Sequence, residues 1–98
     1  MAAVPLDPDE IQRRLAELPG WTVHAGKLHR DFGFRDFVEA FGFMASVALV
    51  AERMNHHPEW RNVYSKVVVD LVTHDAGGIT GKDLQLAAAM DRLAAHAP

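Results

Sequence analysis

From Arg35 to about Asn55 the apolar residues recur at the alternating three- and four-residue spacing of a helix, and they do so twice over. Phe34, Phe37, Phe41, Met44 and Ala48 form one stripe; Ala40, Phe43, Val47, Val50 and Met54 form a second. A chain of 98 residues has a single thin core to offer such a helix. One of the two stripes is therefore surplus, and the second is expected to face another subunit. The alternative is a helix buried on two sides within one domain.

The segments around this helix are shorter and sharply punctuated. Asp7-Pro8-Asp9-Glu10 is a helix start, with a capping carboxylate, proline at the first helical position and acids at the positive end of the dipole. Ile11, Leu15 and Leu18 follow on one face until Pro19-Gly20 stops the run. Trp21 to His24 and Lys27 to Phe34 read as strands joined by a tight turn at Ala25-Gly26, with Leu28, Phe32 and Phe34 on one side. Pro58 ends the long helix because it disfavours helical geometry at His57. The β-branched run from Val63 to Thr73 reads as strand, broken near Ser65-Lys66. After the Gly77-Gly78 loop, Thr80 and Asp83 have capping-box spacing and open a helix to about Ala95, packed through Leu84, Ala87, Ala88 and Leu93. The expectation is one α+β domain over residues 1–98: a four-stranded antiparallel sheet covered on one face by three helices, in the order α-β-β-α-β-β-α.

Composition removes several classes of function. A net charge of −3 without any Lys/Arg run argues against a nucleic-acid partner. With no cysteine in the chain, disulfides, thiolate metal sites and cysteine nucleophiles are excluded. The longest apolar stretch, around Met44 to Ala51, is too short to span a bilayer, and Met1 to Glu10 lacks the layout of a signal peptide. A cytoplasmic protein with no membrane partner is expected.

Three of the six histidines stand at element ends, where function tends to be carried. His56 and His57 lie at a helix exit against Pro58, and His74 lies where a strand meets a glycine loop. Histidine is the side chain best suited to moving protons near neutral pH. Glu52 precedes His56 by one helical turn, so its carboxylate is expected to reach that imidazole and fix its tautomer. Singly, each also fits an ordinary role: a solvated helix-end pair, a surface histidine, a strand-end cap. Trp60 could lie flat against a planar heterocycle or simply be core, and Asp83 fits a helix-dipole role. His24, His29 and His96 have no such context and read as surface residues. Three histidines could form a zinc set, but adjacent histidines usually point apart, so no metal is expected.

The run Glu52-Arg53-Met54-Asn55-His56-His57-Pro58-Glu59-Trp60 closely resembles the pterin-4a-carbinolamine dehydratase family. The likeness continues through Asn62-Val63-Tyr64, Thr73-His74 and Lys82-Asp83. Upstream it includes Leu18-Pro19-Gly20-Trp21, Leu28-His29-Arg30-Asp31-Phe32 and Phe37.

This resemblance implies an enzyme that removes water from 4a-hydroxytetrahydropterin, giving quinonoid dihydropterin in tetrahydrobiopterin recycling. His56, His57 and His74 match the family's active-site histidines. Pro58, Trp60, Thr73, Asp75 and Ala76 match pterin-contacting or supporting positions, as do Glu52 and Asp83 for support. Lys82 stands where relatives often carry Arg, and Asp75 where some carry Glu; both keep charge. His57 and His74 are expected to share the proton transfers while His56 holds the pterin, without metal or redox cofactor. The implied partners are the pterin itself, further copies in a homo-dimer or homo-tetramer, and an aromatic amino-acid hydroxylase as functional neighbour. Some relatives instead act as a dimerisation cofactor for a homeodomain transcription factor or resemble assembly factors for a carbon-fixing enzyme. A non-catalytic binding protein is thus the alternative, although this chain keeps all three histidines. A metal-dependent hydrolase on the same histidines is a further alternative.

Overall fold

The computed structural model describes residues 4–95, and His96 lies outside them. Helix α1 (Pro8–Leu15) begins as read, with Asp7 accepting the Asp9 N–H at 2.8 Å. It tightens at Ala16 into turns that carry Leu18 to the core, so the regular helix is shorter than the apolar pattern suggests. Strand β1 (Thr22–His24) turns into β2 (Lys27–Gly33) through Ala25 and Gly26, at φ 52° and 77°. Two successive positive φ values make the hairpin turn whose twist matches the strands, and glycine takes its second position without a Cβ penalty.

Helix α2 (Phe37–Met54) is capped by Asp36, which accepts the Glu39 N–H at 2.8 Å. Strand β3 is Glu59–Val63 and β4 is Lys66–Leu71. The β-branched pattern predicts strand from Val63; the strand instead starts directly after Pro58. Glu59-Trp60-Arg61-Asn62 carries no β-branched residue, and its extended state is set by antiparallel pairing to β4, with Glu59 opposite Asp70 and Trp60 opposite Val69. A short 3₁₀ turn (His74–Ala76) and helix α3 (Gly81–Ala95) complete the chain.

The sheet is antiparallel in the order β1-β2-β4-β3. Leu28, Phe32, Val67, Val69 and Leu71 point to one face and meet Ile11 of α1, Ala40, Phe43 and Val47 of α2, and Leu84, Ala87 and Met90 of α3. This is the expected α+β arrangement, with three helices over one face. The other face carries His29, Asp31, Lys66, Val68 and Asp70, the alternate residues of β2 and β4.

The assignment of the two stripes of α2 must be reversed. Ala40, Phe43 and Val47 are buried in the chain's own core, whereas Phe37 and Phe41 are 48% and 57% exposed, beside exposed Val38 and Leu49. Phe34 explains the choice. It leaves β2 on the core side, stacks on Phe32, and lies 4.9 Å from Phe43 between ring centroids, which draws the Phe43 stripe inward. Periodicity alone yields two stripes and no order between them.

Candidate active site

The end of α2 positions the histidines. Asn55 adopts the left-handed conformation, φ 52° and ψ 45°, which Asn tolerates better than most residues. The His56 N–H then turns back to the Ala51 carbonyl at 3.0 Å and the Asn55 N–H to that of Glu52 at 3.1 Å, closing the helix. His57, for which Pro58 disfavours helical geometry, lies outside both the helix and the strand. Neighbouring side chains part accordingly: the His56 imidazole is 9% exposed and that of His57 59%.

His56 enters a buried polar network. Its Nε2 lies 2.5 Å from Oδ1 of Asp83, a residue with no exposed surface. The other oxygen, Oδ2, accepts the Thr80 N–H at 2.9 Å and the Thr73 hydroxyl at 2.8 Å. Thr73 thereby spends its single hydrogen, so the 2.7 Å contact between the two hydroxyls runs from Thr80 to Thr73. Thr80 Oγ1 in turn accepts the Lys82 N–H at 3.3 Å. Asp83 thus closes the cap of α3 and holds His56, more than the dipole role its position suggests.

The expected pairing of Glu52 with His56 is corrected. Glu52 Oε1 lies 2.8 Å from Nε2 of His57. The one-turn spacing argument requires the helix to continue to His56, and Asn55 ends it first. His74, at the start of the 3₁₀ turn, places Nε2 2.9 Å from Oε2 of Glu59, and the other oxygen of Glu59 takes Lys27 Nζ at 2.5 Å. The Lys27 ammonium holds the Glu59 carboxyl below its ordinary value, with His74 as a smaller contributor. Glu59 reciprocally raises Lys27.

Each of the three histidines therefore has Nε2 on a carboxylate. A carboxylate only accepts, so Nε2 carries the hydrogen and Nδ1 is the ring nitrogen left to exchange protons. All three line one cleft of about 280 Å³ together with Asn55, Val72, Thr73, Asp75 and Lys82. Pro58, Trp60 and Ala76 do not line it; Trp60 shares the Val69 side of the sheet and packs against the core. Glu59 was missed in sequence because the register of β3, rather than any local spacing, brings it to His74. His29 is also more than a surface residue: Nδ1 lies 2.9 Å from Asp70 and Nε2 3.0 Å from Asp31, on the outer sheet face. Among the described residues no three His, Asp or Glu side chains are placed to hold a metal ion together, and no helix is long and apolar enough to cross a membrane.

The family described as Pterin 4 alpha carbinolamine dehydratase matches residues 4–93. A Solibacter usitatus protein named provisionally as a pterin-4-alpha-carbinolamine dehydratase is 62% identical over 90 residues, 92% of this chain and 95% of its own. A Rhodopseudomonas palustris protein of the same provisional name is 55% identical over 93 residues, covering 93% and 92%. The crystal structure of a transcriptional coactivator/pterin dehydratase from Brucella melitensis superposes with a TM-score of 0.89 at 43% identity, over 92% of this chain and 98% of that one. A pterin dehydratase-like protein described as a RuBisCO assembly factor in the alpha-carboxysome shares the fold, with a TM-score of 0.63 at 23% identity, over 76% and 86%. The chain belongs to the pterin-4-alpha-carbinolamine dehydratase family.

Proposed function

We propose that this protein dehydrates 4a-hydroxytetrahydropterin to quinonoid dihydropterin by histidine general acid–base catalysis. The observation that carries the reading is the single cleft onto which His56, His57 and His74 all open, each tethered through Nε2 to its own carboxylate.

In this reading a protonated imidazole gives its proton to the C4a hydroxyl, the C4a–O bond breaks, and water leaves. A neutral imidazole takes the proton from N5, and the N–H electron pair forms the C4a–N5 double bond. Histidine is the side chain suited to both giving and taking a proton near neutral pH. Such groups supply roughly 10²–10⁴-fold in rate, ample for a reaction that also proceeds slowly unaided. His57 and His74, the exposed pair, share the transfers, and His56, immobilised by Asp83, holds the pterin. Thr73 and Asp75, which line the cleft with the histidines, form the proposed pterin-binding set, while Pro58, Trp60 and Ala76 lie outside that cleft. The chemistry calls for no metal or redox cofactor. An aromatic amino-acid hydroxylase, whose chemistry generates the 4a-hydroxy pterin, is the functional neighbour in the cytoplasm.

The exposed stripe of Phe37, Val38, Phe41 and Leu49 is the proposed self-association face of a homo-dimer or homo-tetramer. The same stripe favours one second reading, a protein-binding member without catalysis, of the kind suggested by the coactivator name of the Brucella protein. Purified protein supplied with 4a-hydroxytetrahydropterin generated in situ tests the two. Acceleration over the spontaneous reaction supports the enzyme, and none from a folded sample favours the binding protein.

A further inference from the structure

His74 is the least sheltered of the three histidines, with its side chain 73% exposed. An imidazole in that position would ordinarily sample several rotamers and both neutral tautomers. We propose that Glu59, braced by Lys27, is the positioning residue that fixes the orientation and tautomer of His74. This rests on the reading of His74 as a proton-transfer group.

The two oxygens of Glu59 are divided between two partners. Oε2 takes Nε2 of His74 at 2.9 Å and Oε1 takes Nζ of Lys27 at 2.5 Å. A carboxylate with one oxygen anchored has lost most of its rotational freedom, so the direction of its second hydrogen bond is fixed as well. The anchor comes from the framework. Glu59 is the first residue of β3, directly after Pro58, and pairs with Asp70 of β4. Lys27 is the first residue of β2, on the far side of β4 in the strand order. The Lys27–Glu59 link therefore spans the outer face of the sheet and ties the β1–β2 hairpin to the loop carrying His74. It also keeps Glu59 an acceptor, since the ammonium stabilises the ionised carboxyl.

The arrangement parallels the other two histidines, with one difference in construction. Asp83 is buried and fixed by Thr73 and Thr80. Glu59 is half exposed and fixed by a cation instead. Exposed ion pairs do little for fold stability, so removing this one should leave a folded protein and expose any effect on His74 itself.

The test is Glu59→Ala and Glu59→Asp beside the unaltered protein, with two readouts: nitrogen-15 NMR of the His74 ring, which distinguishes the tautomers, and steady-state dehydration kinetics. The unaltered protein should show His74 as the Nε2–H tautomer. Glu59→Ala should turn it into a mixture and lower kcat by roughly ten- to a hundredfold, the scale of a misplaced catalytic group, with KM little changed. Glu59→Asp should recover part of both, and Lys27→Met should show the same changes in weaker form. An unchanged tautomer in Glu59→Ala overturns the proposal whatever the kinetics do. A changed tautomer with full kcat overturns the catalytic part of it. If the unaltered protein gives no acceleration, the dehydratase reading itself fails and takes that catalytic part with it; the tautomer result then separates this outcome from loss of the Glu59 contact.

Discussion

Nε2 of His56 and Oδ1 of Asp83 stand 2.5 Å apart in a setting that excludes solvent, with Asp83 wholly buried. The same carboxylate caps α3 through the Thr80 N–H and binds the Thr73 hydroxyl at the end of the strand region. One residue thus joins the helix start, the strand exit and the imidazole of His56.

Asp83→Asn removes the charge from three hydrogen bonds at once and presents an amide where the network offers only donors. Leaving buried donors poorly matched costs about 1–3 kcal/mol each, so the urea midpoint should fall clearly, and turnover should fall with it. An unaltered midpoint would mean the network contributes nothing to folding.

Glu52 and His57 form the opposite case, a pair in which both side chains are largely exposed. Exposed pairs add little to stability. Glu52→Ala should therefore leave the thermal midpoint in place while lowering kcat several-fold, measured by calorimetry and the dehydration assay on one preparation. A loss of stability without a change in kcat would assign the pair a structural role.

The Lys27–Glu59 link should define a pH window. Glu59 is depressed by Lys27, so its contribution is present above its ordinary value of 4.5 and is lost as pH falls through the lower folded value. Lys27 is raised by Glu59, so its contribution is present below 10.5 and is lost as pH climbs past the higher folded value. In Lys27→Met the Glu59 carboxyl carbon, followed by NMR, should titrate at higher pH than in the unaltered protein. An unmoved titration would show that the cation does not act on it.

Phe41→Glu places a charge in the exposed stripe of α2 beside Phe37, whose ring centroid lies 5.7 Å away. Sedimentation should show a smaller assembly than that of the unaltered protein, with far-UV circular dichroism unchanged. Equal sedimentation of the two would remove this face from self-association.

Much of the architecture was legible locally. Asp7-Pro8 and Ala25-Gly26 mark element ends through their own backbone preferences, and the six-residue strand β4 follows from its β-branched run. By contrast, α1 stops at Leu15 ahead of Pro19-Gly20, and α2 is closed by Asn55 ahead of Pro58. The three histidines were legible too, because they stand at element ends. What escaped depended on relations beyond one turn of chain. The left-handed Asn55 changes the partner of Glu52 from His56 to His57. Glu59 reaches His74 and Lys27 only through strand register. The sidedness of α2 goes with the tilted contact that Phe34 makes with Phe43 across elements.

The central claim is that three carboxylate-held histidines dehydrate a 4a-hydroxytetrahydropterin without metal. It is tested most directly by generating that substrate in situ and following water loss with the unaltered protein, a chelator-treated sample and His57→Ala. The account predicts rapid dehydration that survives chelation and falls by roughly 10²-fold or more in the variant. A folded protein that leaves the spontaneous rate unchanged, or one whose activity disappears with chelation and returns with added zinc, would contradict it.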